Sequence, residues 1–107
     1  MQSWKHLNTL DALVVALCRD YVRRQVAISK GGMSKRTLTE YKYLNSSIFE
    51  AVSEIVGEFD AKIYIDEIGG MIGYAKSEFG YRMSEGTYKS YKRNITYNIA
   101  KKLHLAD

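Results

Sequence analysis

Apolar side chains recur three or four residues apart in four segments of this chain, the pattern of helices that each bury one face. The first segment is predicted to begin at Asn8 or Thr9, either of which can cap a helix N-terminus. Its apolar positions are Leu10, Leu13, Val14, Leu17, Tyr21 and Ile28. Gly31 and Gly32 predict the end of this helix, because glycine tolerates the left-handed conformation of a C-terminal cap.

The second segment is predicted to begin at Ser34 or at Thr37. Thr37 to Glu40 fits a capping box, in which the glutamate reaches back to the cap residue. A clear apolar stripe follows at Tyr41, Leu44, Ile48, Val52 and Ile55. Gly57 then predicts the end of the second helix.

The third segment is predicted to begin near Asp60 and is interrupted by Gly69 and Gly70. Its apolar positions are Tyr64, Ile65, Ile68, Ile72, Ala75 and Phe79. Two adjacent glycines cost a helix about 2 kcal/mol relative to alanine, so we expect a bend, a break or a tight helix crossing there. The alternative is a short strand over 62–66, where β-branched and aromatic residues cluster, although no partner strand is evident.

The last helix is predicted to run from Ser84 to about His104, after a loop over 74–83. Ser84 suits its N-cap, and two lysines suit its last turn. One side of the helix collects Tyr88, Tyr91, Ile95, Ile99 and Leu103. The opposite side carries Gly86, Lys89, Ser90, Arg93, Tyr97 and Lys101.

Two ten-residue segments suggest an internal repeat. Residues 33–42 and 83–92 are identical at five of ten positions, and each segment opens a long helix. One interpretation is a degenerate duplication, with units over 7–56 and 57–107 that each resemble a helix-turn-helix. The alternative is that Ser and Thr recur there because both residues cap helices well.

The composition agrees with one helical domain. The chain has 107 residues, 46% of them hydrophobic, and no proline, which would break helix interiors. We therefore predict an all-α single domain over 1–107, with four to five helices that include a helix-turn-helix-like pair. A single cysteine cannot form an internal disulfide, and no apolar run is long enough to span a membrane. These features predict a cytoplasmic protein with no membrane partner.

The charges are unevenly distributed along the chain. Residues 1–47 contain eight Lys or Arg and three Asp or Glu, whereas residues 48–80 contain two and seven. Residues 81–107 contain six and two, and the whole chain has a formal charge of +4. Basic ends on a small helical domain make nucleic acid the first partner to consider.

The polar side of the last helix has the chemistry of a DNA-reading surface. Lys89 and Arg93 can contact phosphates or guanine edges, while Ser90 and Tyr97 can donate hydrogen bonds to phosphate oxygens. Gly86 would allow close approach of the backbone at a helix start that itself attracts phosphate. An ordinary solvated helix face is the alternative.

The segment 84–95 resembles the start of the recognition helix in LuxR-type regulators and sigma-factor C-terminal domains. Those helices read as Ser, two variable residues, Thr, an apolar residue, Lys and further basic residues. The segment 65–73 resembles their preceding scaffold helix, and the likeness covers about 40 of the 107 residues. It implies that Thr87, Lys89, Ser90 and Arg93 approach DNA. This chain departs from the pattern because residues 74–83 lengthen the turn. The overall layout also resembles small regulators of phages and mobile elements.

The sequence contains no recognisable catalytic motif, so we predict that the protein is not an enzyme and uses no metal or other cofactor. His6 and His104 lie near opposite ends, and Cys18 has the setting of a buried core residue. Glu50, Glu54 and Glu58 are spaced four apart, but they flank an apolar stripe and favour a solvated acidic face over a metal site. No small-molecule substrate is evident.

The leading hypothesis is a sequence-specific protein that binds double-stranded DNA, a transcriptional regulator of phage or mobile-element type. A homodimer would match a palindromic site. The predicted contacts of its last helix are Thr87, Lys89, Ser90, Arg93, Tyr97 and Lys101. Secondary phosphate contacts are predicted at Arg19, Arg23, Arg24, Lys35 and Arg36. The alternative is a helical interaction or phage assembly protein that does not bind nucleic acid. A third hypothesis is single-strand binding through exposed tyrosines.

Overall fold

The computed structural model describes the backbone of residues 2–106 and the side chains of residues 9–106. It is all-α, as predicted, and has no strand in the described residues. Its helices are α1 (Gln2–Arg19), α2 (Tyr21–Lys30), α3 (Lys35–Val56), α4 (Glu58–Gly69) and α5 (Glu85–Lys102), with a 3₁₀ turn at Tyr74–Lys76. The strand considered over 62–66 is wrong, because those residues lie within α4.

The first predicted helix is two helices that meet at Asp20, whose φ of −87° and ψ of 1° interrupt the helical backbone. α1 also begins earlier than predicted, at Gln2. The side chains of Asn8 and His6 lie outside the described residues. The break lets α2 turn Tyr21 and Arg24 into contact with α3, where both are buried.

Serine caps begin both of the long helices α3 and α5. The Ser34 hydroxyl accepts a hydrogen bond from the backbone N–H of Thr37, and the Ser84 hydroxyl accepts the equivalent bond from Thr87, each at 3.2 Å. The predicted capping box with Thr37 as the cap is therefore wrong, since Thr37 lies inside α3. Shared capping accounts for the Ser and Thr common to the two repeated segments. Duplication stays a hypothesis.

The core lies where α3, α4 and α5 meet, with α1 packed against α4. α3 and α5 run antiparallel, because Tyr43 reaches the carbonyl of Lys102 while Asn98 donates to the carbonyl of Ala51. The apolar stripes predicted for α3 and α5 face inward. Their fully buried members are Ile48, Val52, Tyr88, Ile95 and Ile99.

Gly69 combines two of the outcomes expected at the double glycine. It is the last residue of α4, and α4 crosses α1 tightly at this position. A Cβ atom built on Gly69 would lie 2.7 Å from the backbone nitrogen of Arg19. Ile72 and Phe79 therefore do not continue the helix, although Phe79 is fully buried from the connection that follows.

The connection over 70–84 is folded against the helices. Tyr74 donates hydrogen bonds to the carbonyls of Gly80 and Met83, both at 2.7 Å. The Phe79 ring stacks on Tyr64 with a centroid distance of 4.3 Å. The buried carboxylate of Glu67 accepts bonds from the Ser77 hydroxyl and the Glu78 backbone N–H. This segment therefore has a fixed conformation that determines where α5 begins.

The Cys18 thiol should be inert in the folded protein. Cys18 lies on the side of α1 that faces the core and is buried there. Burial raises the pKa of the Cys18 thiol to about 12. Because only the thiolate reacts, we expect dithiobis(nitrobenzoic acid) at pH 8 to modify the native protein about a thousandfold more slowly than the urea-unfolded chain. Complete reaction of the native protein within minutes would contradict this buried position.

Candidate nucleic-acid interface

The polar side of α5 is exposed along the whole helix. Its accessible residues form a surface that we call the outer face of α5, which consists of Gly86, Thr87, Lys89, Ser90, Arg93, Asn94, Tyr97 and Lys101. α5 has 18 residues and is therefore about 27 Å long at roughly 1.5 Å per residue. The predicted amphipathic division of this helix is confirmed, since Tyr88, Ile95 and Ile99 are buried on the opposite side.

The outer face of α5 is polar and positively charged. Glu85 is the one acidic residue within α5, and it pairs with the Lys89 ammonium at 2.9 Å. Both side chains are more than half exposed, so the pair is weak and Lys89 remains available to another anion. The Lys101 ammonium lies 5.5 Å from the centre of the Tyr97 ring. Thr87 is exposed at the helix start, beside its serine cap.

The last lysine of α5 is engaged with α3. Lys102 pairs with Glu50 at 2.6 Å and with Glu54 at 2.7 Å. Hydrogen bonds from Lys102 and Asn98 lower the pKa of Glu54, and bonds to the two glutamates raise the pKa of Lys102. Two members of the predicted acidic face, Glu50 and Glu54, therefore connect α3 to α5, whereas Glu58 begins α4 and is exposed. Among the side chains that the structure describes, no cluster of His, Cys, Asp or Glu is arranged to hold a metal ion.

An open groove adjoins the outer face of α5, between α1, α5 and the end of α4. We call it the basic groove, and its volume is about 970 Å³. Four cations and one carboxylate line it, namely Arg19, Lys89, Lys92, Arg93 and Asp11. Its apolar lining is Ala12, Val15, Ala16, Ile68, Met71 and Ile72. The groove brings Arg19 of α1 beside the predicted contacts of α5, which lie 70 or more positions later in the sequence.

Two cations of the basic groove are held by backbone carbonyls. The Arg19 Nε donates to the carbonyl of Gly69 at 3.2 Å, and the Lys92 ammonium donates to the carbonyl of Ile72 at 2.8 Å. Burial lowers the pKa of Lys92, and its ammonium also lies 5.0 Å from the centre of the Tyr88 ring. Sequence reasoning missed Lys92, because helical periodicity puts it beside the buried side of α5. Its partner, the carbonyl of Ile72, comes from the connection after α4 and is apparent only in the structure.

The remaining predicted contacts are distributed over other surfaces. Lys35 and Arg36 open α3, and the antiparallel packing puts them at the opposite end of the domain from Ser84. Arg36 is exposed and pairs with Glu40 at 3.4 Å. Arg23 pairs with Asp20 at 3.2 Å on the surface of α2. The predicted set therefore does not form one continuous patch.

The prediction that Arg24 contacts phosphate is wrong, because Arg24 is buried. Its side chain is only 3% exposed, and its guanidinium donates to Asn45 Oδ1 at 2.6 Å and to the Leu17 carbonyl at 2.5 Å. Asn45 in turn donates to the carbonyl of Tyr21 at 3.0 Å. Arg24 is thus part of a buried polar cluster that fastens α2 to α3. Nothing in the local sequence distinguished it from its exposed neighbour Arg23.

The spacing of the helix pairs bears on the helix-turn-helix hypothesis. Fifteen residues separate α4 from α5, and the pair meets through Tyr88, which stacks on Tyr64 and donates to Glu67. Four residues, 31–34, separate α2 from α3. The short turn is therefore found in the first helix pair, whereas the exposed cationic helix belongs to the second.

Comparison with known proteins gives no family for this chain. No family model matches it, and neither the curated proteins nor the solved structures include one with significant similarity. None of the helices in the described residues has the length and apolar character of a membrane-spanning segment.

Proposed function

We propose that the protein binds double-stranded DNA through the outer face of α5. The single observation that carries this proposal is an 18-residue helix whose exposed side carries cations and hydroxyls and whose one carboxylate is already paired. A helix fits the major groove of B-form DNA, and its exposed cations can read guanine edges or bind phosphates. The resemblance of residues 84–95 to recognition helices supports the same assignment.

The residues have different proposed roles along α5. Thr87 and Ser90 would donate hydrogen bonds near the helix start, whose free backbone N–H groups favour phosphate. Lys89 and Arg93 would contact bases or phosphates at the middle of the helix. Lys101 would bind phosphate about two turns further on than Arg93. A regulatory role, a phage or mobile-element origin and a homodimer on a palindromic site extend this proposal.

The test is binding of a random 30-base-pair duplex, followed by fluorescence anisotropy between about 50 and 200 mM salt. We expect affinity to fall steeply with salt, because phosphate contacts release counterions. The variant Lys89→Ala/Arg93→Ala should bind at least tenfold more weakly at low salt, and its slope of log K against log salt should fall by about 2. Lys62→Ala is the matched control, since Lys62 is an exposed lysine on α4 outside this face.

The same assay separates the competing hypotheses. Equal loss of binding free energy per charge removed in the double variant and in Lys62→Ala would show that only net charge matters, which contradicts a specific face. Stronger competition by a single strand than by the duplex would favour binding through Tyr43, Tyr81 and Tyr97, which are exposed on three different elements. No binding at micromolar protein and low salt would reject nucleic acid as the partner.

A protein partner is the second candidate function, and exposed aromatic residues favour it. The side chains of Phe59 and Tyr81 are 90% and 87% exposed. Their neighbours Asp60 and Arg82 form an ion pair at 3.4 Å, which brings the two segments together at one corner of the domain. Aromatic residues are enriched in protein interfaces. Phe59→Ser should leave DNA affinity unchanged if this corner serves a protein partner.

A further inference from the structure

The basic groove has a property that DNA binding does not use, namely its apolar walls. Val15 and Ala16 of α1, Ile68 of α4 and Ile72 of the connection line the groove, whose open volume is about 970 Å³. Ligand sites in proteins commonly have volumes of about 300–1,000 Å³, apolar linings and a few convergent polar groups. Met71 also lines the groove and is largely exposed. A bound phosphate group alone would leave these apolar side chains in contact with water.

Two of the four cations in the groove are held in position, and neither is held by a carboxylate. Arg19 and Lys92 are held by the carbonyls of Gly69 and Ile72, which leave the outer nitrogens of Arg19 available. Among the described side chains, none of Arg19, Lys92 and Arg93 forms an ion pair with a carboxylate. Two held cations and the exposed Arg93, beside an apolar surface, form a site that is complementary to an anion with an apolar body.

We propose that the basic groove binds an anionic amphiphile, whose carboxylate or phosphate head contacts Arg19, Lys92 and Arg93 and whose apolar chain lies along Val15 and Ile72. Fixed cations cost little conformational entropy when they bind the head group, because Arg19 and Lys92 are already held. The chain would cover apolar surface that water now contacts. The groove is open to solvent along one side, so the ligand can enter without separation of the helices.

Asp11 provides a sharp test of the charge argument. It is exposed, it lines the same groove, and it is the one carboxylate among the lining residues. Its charge opposes a bound anion. Asp11→Asn should therefore strengthen binding of an anionic amphiphile by about threefold, a gain that a partly unfolded variant would not produce.

The probe is laurate, titrated below its critical micelle concentration and followed by calorimetry. We expect saturable binding at one site. Arg93→Ala should weaken this binding about tenfold, because Arg93 is exposed and its removal costs a charge-assisted contact without disturbing the core. Arg36→Ala is the matched control, since Arg36 is an exposed arginine at the far end of the domain and should leave laurate affinity unchanged.

Three outcomes would overturn the proposal. Dodecyltrimethylammonium, which has an alkyl chain of nearly the same length and a positive head, should not bind, so equal affinity for it would show that charge plays no part. Insensitivity of laurate to both Arg93→Ala and Asp11→Asn would place the ligand elsewhere. Binding of decaglutamate but not of laurate would make the groove a surface for acidic peptides.

Arg93 and Lys89 belong both to the basic groove and to the predicted DNA contacts, so a bound amphiphile should compete with duplex DNA. This consequence rests on the proposed function, whereas laurate binding does not. If laurate binds and DNA does not, only the DNA proposal fails. If DNA binds and laurate does not, only the amphiphile proposal fails. Where both bind, saturating laurate should weaken duplex affinity at least tenfold, and additive binding would contradict a shared site.

Discussion

Gly69→Ala should destabilise the protein by about 2–3 kcal/mol, which lowers the melting temperature by roughly 10–20 °C for a domain of this size. The new Cβ would lie 2.7 Å from the Arg19 nitrogen and 2.8 Å from both the Arg19 Cα and the Cys18 carbonyl carbon. All three are backbone atoms of α1, so no side-chain rotation can relieve the overlap. The two helices must separate, and the bond from Arg19 Nε to the Gly69 carbonyl must lengthen.

The expected loss of stability in Gly69→Ala is opposite to what the helix propensities of glycine and alanine predict. Alanine favours a helix over glycine by up to about 1 kcal/mol, so a helix without tertiary contacts would be stabilised by this change. Gly86→Ala is the matched control, because Gly86 lies in the first turn of α5 and nothing is within 4 Å of its added Cβ. We expect Gly86→Ala to raise the melting temperature slightly.

Thermal unfolding followed by circular dichroism measures both variants. A melting temperature for Gly69→Ala equal to that of the parent would show that α1 and α4 do not approach this closely in solution. A loss in both variants would point instead to a general intolerance of alanine at these glycines. The affinity of the basic groove for laurate is an independent readout. Separation of α1 from α4 displaces Arg19 from its carbonyl partner and should weaken that affinity.

Long regular helices with serine caps were predictable from the sequence. The stripe of α5 alternates with polar residues over five turns, and its buried members face the core as the periodicity requires. The break at Gly69 was predictable as well, because adjacent glycines are costly in a helix and are retained where backbones must approach. These features depend on neighbours within a few positions of the chain, which is why a periodic pattern reports them.

The break at Asp20 was not predictable, because it has no glycine or proline and its cause is distant in the sequence. Asn45 of α3 accepts a hydrogen bond from Arg24 and donates to the carbonyl of Tyr21. Those bonds fasten α2 to α3, 20 or more positions later in the sequence. The basic groove was equally hidden, since its cations come from α1 and α5 and their carbonyl partners from the end of α4. Tertiary hydrogen bonds of this kind leave no periodic signal.

Glu67 joins three parts of the chain through one buried carboxylate. Its Oε1 accepts from the Tyr88 hydroxyl at 2.6 Å and from the Ser77 hydroxyl at 2.7 Å, and its Oε2 accepts from the Glu78 backbone N–H at 2.9 Å. Burial, and then the bond to Glu67, raises the pKa of Tyr88 to about 12, so its hydroxyl stays a donor. The carboxylate thereby ties α4 to the connection and to the first turns of α5.

Glu67→Ala should lower the free energy of unfolding by about 3–5 kcal/mol, because it leaves three donors without their acceptor and opens a cavity beside Tyr88. Glu67→Gln should cost less, about 1–3 kcal/mol, since the amide keeps one acceptor oxygen but turns an N–H₂ group toward one of the three donors. Urea denaturation followed by circular dichroism measures both values. Hydrogen exchange at the Glu78 amide reports separately whether the connection has been released.

Glu78→Ala is the matched control, because it removes an exposed carboxylate from the same connection while its backbone N–H still donates to Glu67. Its free energy of unfolding should stay within about 0.5 kcal/mol of the parent. If Glu67→Ala were equally mild, the connection would not depend on the buried carboxylate, and the position of the first turn of α5 would have to come from Tyr74 and Phe79 alone. A large loss confined to Glu67 variants would instead show that one buried side chain fixes the start of the helix proposed to contact DNA.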